Sequence, residues 1–271
     1  MKQHFTSALS QGFGRFASKK HTPKVQNIIN NSYVRMMGLD MSEFRSPRSY
    51  ESLNELFTRH FVTQRLFSKE PNEIISPCDS LITQWGTIDD TRALQIKGMS
   101  YDVNAFLGEY ISDSSKEAVR DGSYVNFYLS PRDYHRYHVP LDMQVVKAVH
   151  VPGKLFPVNI PTLKNKLDLF IENERVVLEC LSTKGKKFFL VLVGALNVGQ
   201  MEVSFEPNIK TNTTSTPSVY EYENLHLVKG DDFGCFKMGS TIIMLCEKGM
   251  CDWHVVTGKN VRFGQTIATI V

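Results

Sequence analysis

The chain has 271 residues, 42% hydrophobic and 22% charged, with a net charge of +3. Those values describe a folded globular protein long enough to bury a substantial core, and they exclude a disordered chain. No apolar run reaches the about 20 residues that a membrane-spanning helix needs, and so small a net charge implies no nucleic-acid partner.

In chain order, residues 4 to 17 place Phe5, Leu9, Phe13 and Phe16 in one narrow sector of a predicted helix, although Gly12 and Gly14 weaken it. No Asp or Glu precedes Asp40, whereas Lys2, Arg15, Lys19, Lys20, Lys24 and Arg35 do. An apolar stripe beside basic residues suits an anionic membrane surface. The other readings are a helix packed on the protein's own core and an organelle transit segment. A second helix is predicted over Lys24 to Met37, with Val25, Ile29 and Met36 on one side and Gly38 as its end. "YESLNELFTRHF", from Tyr50, reads as a third, with Leu53, Leu56, Phe57 and Phe61 as its apolar set. Residues 1–66 are thus expected to form a helical membrane-association region ahead of a β-rich core, 67–271.

After about residue 70 short β-branched and aromatic runs alternate with Gly, Pro and Asn turns, as in "SYVNFYLS", "MQVVKAVHV", "RVVLECLS", "KFFLVLVGAL" and "STIIMLC". The spacing predicts a mainly β, α+β fold. Residues 206 to 230 show the weakest pattern and are expected to form a surface excursion or lid. The five cysteines, Cys78, Cys180, Cys235, Cys246 and Cys251, form no CxxC pair and show no zinc-ligand spacing, so they read as reduced thiols.

Three segments carry candidate chemistry. In "CFKMGSTIIML", Gly239-Ser240-Thr241 is either a turn before a buried strand or the holder of a reactive hydroxyl. In "YLSPRDYHRYHVP", His135 and His138 stand among Arg132, Asp133 and Arg136. The H-x-x-H pair is a possible metal ligand set, but the arginines repel a cation and no third ligand cluster is evident, so no metal is expected. General acid/base use is favoured, because histidine titrates near neutral pH. In "ISPCDSLITQWGTI", Asp79 alone reads as a turn residue. Together with a serine and a histidine it completes a nucleophilic triad in the order Asp, His, Ser, although composition does not establish that the three meet.

"LFTRHF", "SPCDSLI", "LQIKGMSYDVNAFLG", "LSPRDYHRYHVP" and "KGDDFGCFKMGSTIIML", in that order along the chain, resemble phosphatidylserine decarboxylase in its bacterial-type form. The resemblance covers nearly the whole chain. Met238 stands where the family commonly has Leu, a volume-conserving swap. Ser80 stands where a Gly is common; if that position required positive φ, Ser would cost about 1 kcal/mol or more.

The resemblance implies a proenzyme that cuts itself between Gly239 and Ser240, giving a large chain (1–239) and a small one (240–271). Asp79, His138 and Ser240 would be the cleavage triad, with Thr241 in support, and Ser240 would become a covalent pyruvoyl group. That group would form a Schiff base with the serine amine of phosphatidylserine. CO2 would then leave, His135 would donate a proton to carbon, and phosphatidylethanolamine would be released. Lys97 and Tyr101, with the 206–230 excursion, would shape a headgroup entrance. The cofactor implied is pyruvate made from Ser240, and the implied partners are the membrane lipid and the protein's own two chains, with a dimer of these as the family resemblance suggests. The expected setting is the cytoplasmic face of a bacterial cell membrane, with an organelle membrane such as the mitochondrial inner membrane as the alternative. The terminal "TGKNVRFGQTIATIV" is similar to the end of a barrel-sandwich hybrid. Rival readings are a plain serine hydrolase with an intact chain, a non-catalytic relative, and a pyruvoyl decarboxylase of a soluble amino acid.

Overall fold

The computed structural model describes residues 12, 14–196, 200–213, 216–237 and 240–271, and of Ser240 the backbone alone. The expected helix over 4–17 lies largely outside the described residues; residues 14–18 are helical.

Sixteen strands follow the N-terminal helices among the described residues: β1 (Glu73–Ile75), β2 (Ser80–Thr87), β3 (Arg92–Ile96), β4 (Met99–Asp102), β5 (Ser123–Leu129), β6 (Arg136–His138), β7 (Met143–Val151), β8 (Arg175–Ser182), β9 (Lys187–Val193), β10 (Met201–Val203), β11 (Ser218–Leu227), β12 (Asp232–Phe236), β13 (Ser240–Cys246), β14 (Cys251–Trp253), β15 (Asn260–Val261) and β16 (Thr266–Ile270). The fold is mainly β in the α+β class, as the run spacing predicts. An eight-stranded sheet in the order β11-β7-β8-β9-β13-β5-β2-β15 forms its centre, and all its neighbouring strands pair antiparallel.

The middle of this sheet is buried on both faces, which is why β9 and β13 read as nearly unbroken apolar runs. In β9, Phe188, Leu190 and Leu192 join one core, while Phe189, Val191 and Val193 join the other. In β13, Ile242, Met244 and Cys246 face the first core and Ile243 and Leu245 the second. Successive side chains point to opposite faces, so burying both calls for apolar residues at consecutive positions.

Two expectations need correction. The 206–230 region is not a patternless excursion: β11 is a ten-residue edge strand hydrogen-bonded to β7. Its alternating exposure hides behind the charged residues of its outer face, as suits a sheet edge. The third helix, predicted to run on to Phe61, is only α2 (Leu53–Phe57), opened by Ser52, whose side chain accepts the Glu55 N–H at 3.1 Å. Thr58 ends it by donating its hydroxyl to the Asn54 carbonyl, and Phe61 instead forms a β-bridge with Phe44.

The second helix, α1 (Pro23–Met37), splits the expected apolar side: Ile29 packs on the core with Val34 and Met37, whereas Val25 and Met36 do not. Gln26, Asn30 and Tyr33 are buried, while Val25, Ile28 and Met36 are exposed. The inward face is satisfied by hydrogen bonds: Gln26 donates to Asn30, and Asn30 donates to the Pro47 and Tyr50 carbonyls, both at 2.9 Å. Gly38 closes the helix in the left-handed conformation at φ 64°, where a side chain would be strained. A third core of Ala17, Tyr33, Leu39, Tyr50, Leu53, Leu56 and Phe57 holds this helical unit together.

Candidate active site

Strand β5 ends at Leu129, and the histidine-bearing segment leaves directly from it. Ser130 turns the chain by donating its N–H and hydroxyl to one Asp133 carboxylate oxygen, at 2.7 and 2.8 Å. The segment then enters β6, which pairs with β12, and Arg136 locks the two strands through an ion pair with Asp232. On β12 the Phe236 N–H donates to the His135 carbonyl at 2.9 Å, and the following Lys237 N–H donates to Gln200. On the far side of Gly239, Ser240 lies opposite Leu129 and Thr241 opposite Tyr128. The chain on both sides of position 239 is therefore tied to the segment that carries His135 and His138. Met238 and Gly239 lie outside the described residues. A cavity of about 260 Å³ lined by Gln200, Glu202, Ser204, Lys210 and Thr211, among others, opens next to this stretch.

His138 is buried, and its ring is fixed from three sides. Nδ1 lies 2.9 Å from the Gly230 carbonyl, an acceptor only, so this nitrogen carries the proton. Nε2 lies 2.9 Å from the Tyr134 hydroxyl, whose pKa burial pushes far up, so the phenol stays protonated and donates. The Phe263 ring stacks on the imidazole at 3.7 Å. Burial also lowers the His138 pKa. The result is a neutral imidazole with its basic lone pair at Nε2, the state a general base needs.

Asp79 does not hydrogen-bond His138 in this structure. Its carboxylate accepts from Arg65 Nη1 and, at 3.0 Å, from Nη2, and also from the Phe263 N–H at 2.7 Å. Arg65 in turn grips Glu43 at 2.8 and 2.7 Å. At Nδ1 the imidazole meets the Gly230 carbonyl instead. Asp79 reaches the imidazole indirectly, by anchoring the backbone of the residue whose ring stacks on it. Ser80 next to it is not among the residues with positive φ, so the departure from Gly carries no backbone strain there.

His135 is wholly buried beneath the helical unit, its ring 4.0 Å from that of Phe57. Its Nδ1 donates to the Asp133 carbonyl at 2.8 Å, which leaves Nε2 as a bare lone pair with no partner. Burial takes its pKa down to about 3. In this state His135 carries no proton at Nε2. The same roof covers Tyr134, which packs on Phe61 at 4.2 Å, and Tyr33 donates its hydroxyl to the Pro131 carbonyl at 3.1 Å.

Thr241 is buried with its hydroxyl unpartnered. Lys97 is exposed in the turn between β3 and β4. Tyr101 is not at an entrance: it is fully buried against Phe106 and Phe170, with ring centroids 5.1 and 5.6 Å away, because its strand turns that face into the second core. Tyr134, Gly230, Phe263 and Arg65 were not singled out from sequence. Only Tyr134 carried a signal, four residues before His138 inside the same motif.

The two histidines impose a pH dependence on stability. Both folded-state pKa values lie below the ordinary 6.5, His135 at about 3. Between those limits the unfolded chain takes up protons that the folded chain refuses, so stability falls as pH falls. The denaturation midpoint is expected to drop from about pH 7 to about pH 4. His135→Asn should fall less steeply over that window, and equal slopes would contradict the assignment.

Comparisons with known proteins identify the family. A family model described as phosphatidylserine decarboxylase matches residues 53–269. A protein of Helicobacter pylori (strain ATCC 700392 / 26695) named phosphatidylserine decarboxylase proenzyme is 42% identical, the alignment covering 97% of this chain and 96% of the relative. A protein of that name from Campylobacter jejuni is 40% identical, covering 97% and 99% respectively. One from Marinobacter nauticus is 34% identical, covering 97% and 93%.

Proposed function

The chain belongs to the phosphatidylserine decarboxylase family, and from that premise we propose that it converts phosphatidylserine to phosphatidylethanolamine and CO2 at a pyruvoyl group formed from its own Ser240. The observation that carries this reading is the pinning of the chain on both sides of Gly239 to the segment bearing His135 and His138.

Self-cleavage begins with the Ser240 hydroxyl attacking the Gly239 carbonyl carbon. His138 takes the hydroxyl proton at Nε2 and returns it to the departing amide nitrogen, leaving an ester. Tyr134 releases its hydrogen bond to Nε2 during this step. Thr241 has a buried, unpartnered hydroxyl one residue away that suits stabilisation of the ester oxygen. Loss of the Ser240 α-proton expels the Gly239 carboxylate, and hydrolysis of the remaining enamine releases ammonia.

A pyruvoyl group at position 240 would supply a carbonyl that condenses with the headgroup amine and draws off the electron pair left when CO2 departs. His135 is neutral in the free protein; an anionic headgroup brought against it raises its proton affinity, and in that state its Nε2 can protonate carbon. The two chains would stay together after cleavage, because β13 of the small chain is hydrogen-bonded between β5 and β9 of the large one.

The exposed apolar residues of helix α1 favour a peripheral membrane setting. Its outward Val25, Ile28 and Met36 stand beside Lys24 and Arg35, as an interfacial helix requires. No helix among the described residues is long and apolar enough to cross a bilayer. Ile28→Glu is expected to cut co-sedimentation with phosphatidylglycerol-rich vesicles severalfold without changing self-cleavage, since Ile28 is 67% exposed. Unchanged binding would contradict the membrane-facing assignment.

Mass spectrometry of lipids after incubation with phosphatidylserine vesicles tests the activity. Phosphatidylethanolamine should appear with a matching release of CO2. Unchanged lipid, or equal turnover of free serine, would overturn the reading.

A further inference from the structure

Arginines elsewhere in the molecule show how this fold satisfies a guanidinium. Arg65 pairs with Glu43 and Asp79, and Arg136 pairs with Asp232. Buried Arg175 has no carboxylate, yet its Nε reaches the Phe106 carbonyl at 2.7 Å, Nη1 the Ile171 carbonyl at 2.6 Å and Nη2 the Ala105 carbonyl at 3.3 Å. Arg59, in the "LFTRHF" stretch, is different. It is only 3% exposed, and its Nε and Nη1 have no partner. Nη2 makes two long contacts, 3.5 and 3.4 Å, to the Arg132 and Asp133 carbonyls. No described carboxylate lies within ion-pair distance of it, and its guanidinium sits over the Phe44 ring at 4.4 Å.

A buried cation with open donors and no counter-ion is costly, and the cost falls when an anion arrives. The place is next to the candidate chemistry: the Asp133 carbonyl that Arg59 touches is the one that holds His135 Nδ1. His135 Nε2 and the Tyr50 hydroxyl are likewise buried and unpartnered. The helical unit therefore brings an unsatisfied positive donor down onto the histidine-bearing segment.

We propose that Arg59 is an anion receptor that holds the phosphodiester of the lipid headgroup. The inference rests on the decarboxylase reading above and adds a residue and a chemical group to it. The headgroup carries two anions, the carboxylate and the phosphodiester. A guanidinium on the carboxylate would stabilise the reactant more than the transition state, because that charge leaves the carboxylate as CO2 forms. The phosphodiester keeps its charge throughout, so a charge-assisted hydrogen bond there positions the headgroup without opposing the reaction.

The test is steady-state kinetics on phosphatidylserine in phosphatidylcholine vesicles for the wild type, Arg59→Gln and Arg59→Lys, with phosphatidylethanolamine as product inhibitor. Completed self-cleavage certifies that each variant is folded. For Arg59→Gln, KM should rise on the order of tenfold to a hundredfold, the worth of one charge-assisted hydrogen bond. The inhibition constant of phosphatidylethanolamine should rise by the same factor, because the product keeps the phosphodiester and has lost the carboxylate. Arg59→Lys should recover much of both. A raised KM with unchanged product inhibition would assign Arg59 to the carboxylate and overturn the proposal, as would wild-type constants in Arg59→Gln or equal defects in both variants. If Arg59→Gln fails to process, Arg59→Lys carries the test: KM and product inhibition must shift together. A wild type that leaves phosphatidylserine untouched would instead sink the decarboxylase reading itself.

Discussion

Ser240→Ala should remain a single uncleaved chain of 30.9 kDa with no decarboxylase activity. The substitution removes one hydroxyl at the start of β13, and with it both the nucleophile for the Gly239–Ser240 bond and the precursor of the carbonyl. The fold itself should survive. β13 is held along its length by β5 and β9, and its side chains from Ile242 to Cys246 stay in the two cores. Gel electrophoresis, circular dichroism and a lipid assay read the three statements separately. A folded Ser240→Ala protein that still splits, or that still decarboxylates, would show that the chemistry lies elsewhere.

His138→Ala should slow self-cleavage by roughly 10²- to 10⁴-fold, the usual worth of a positioned general base. The physical case is the ring's state. The Gly230 carbonyl fixes the proton on Nδ1, the Tyr134 hydroxyl marks Nε2 as the acceptor, and burial keeps the ring uncharged. Because burial lowers the His138 pKa, the acid limb of the cleavage rate should fall below the ordinary histidine value of 6.5. Tyr134→Phe removes the donor at Nε2, which should free the lone pair and move that limb upward. Wild-type cleavage kinetics in His138→Ala would remove the base from the account. An unmoved limb in Tyr134→Phe would remove the hydrogen bond from it.

The β core was legible where burial is two-sided. Phe188 to Val193 and Ile242 to Cys246 include no polar position because both faces of β9 and β13 are covered there. β11 was not legible, because an edge strand carries charge on its outer face and its alternation was lost among Glu221, Glu223 and Asn224. The helix over Lys24 to Met37 was found with nearly its observed bounds, but its buried face was unforeseeable. Gln26 and Asn30 are inside only because Asn30 finds the Pro47 and Tyr50 carbonyls, partners 17 and 20 residues away.

The same limit applies at the site. His135, His138 and the Gly-Ser-Thr stretch stand out by composition and motif, and the register brings their segments together. The placement of Asp79 against Arg65, rather than against His138, depends on side chains from three separate parts of the chain. So does the bareness of Arg59, since a missing partner leaves no mark in the sequence around the residue that lacks it.

Intact mass of freshly purified wild-type protein tests the central claim most directly. The account predicts two chains, 1–239 and 240–271, the smaller with a blocked N-terminus and a mass lower by the loss of ammonia chemistry at Ser240 than an unmodified serine terminus would give. A single full-length species with Ser240 unchanged, in protein that is folded, would contradict it.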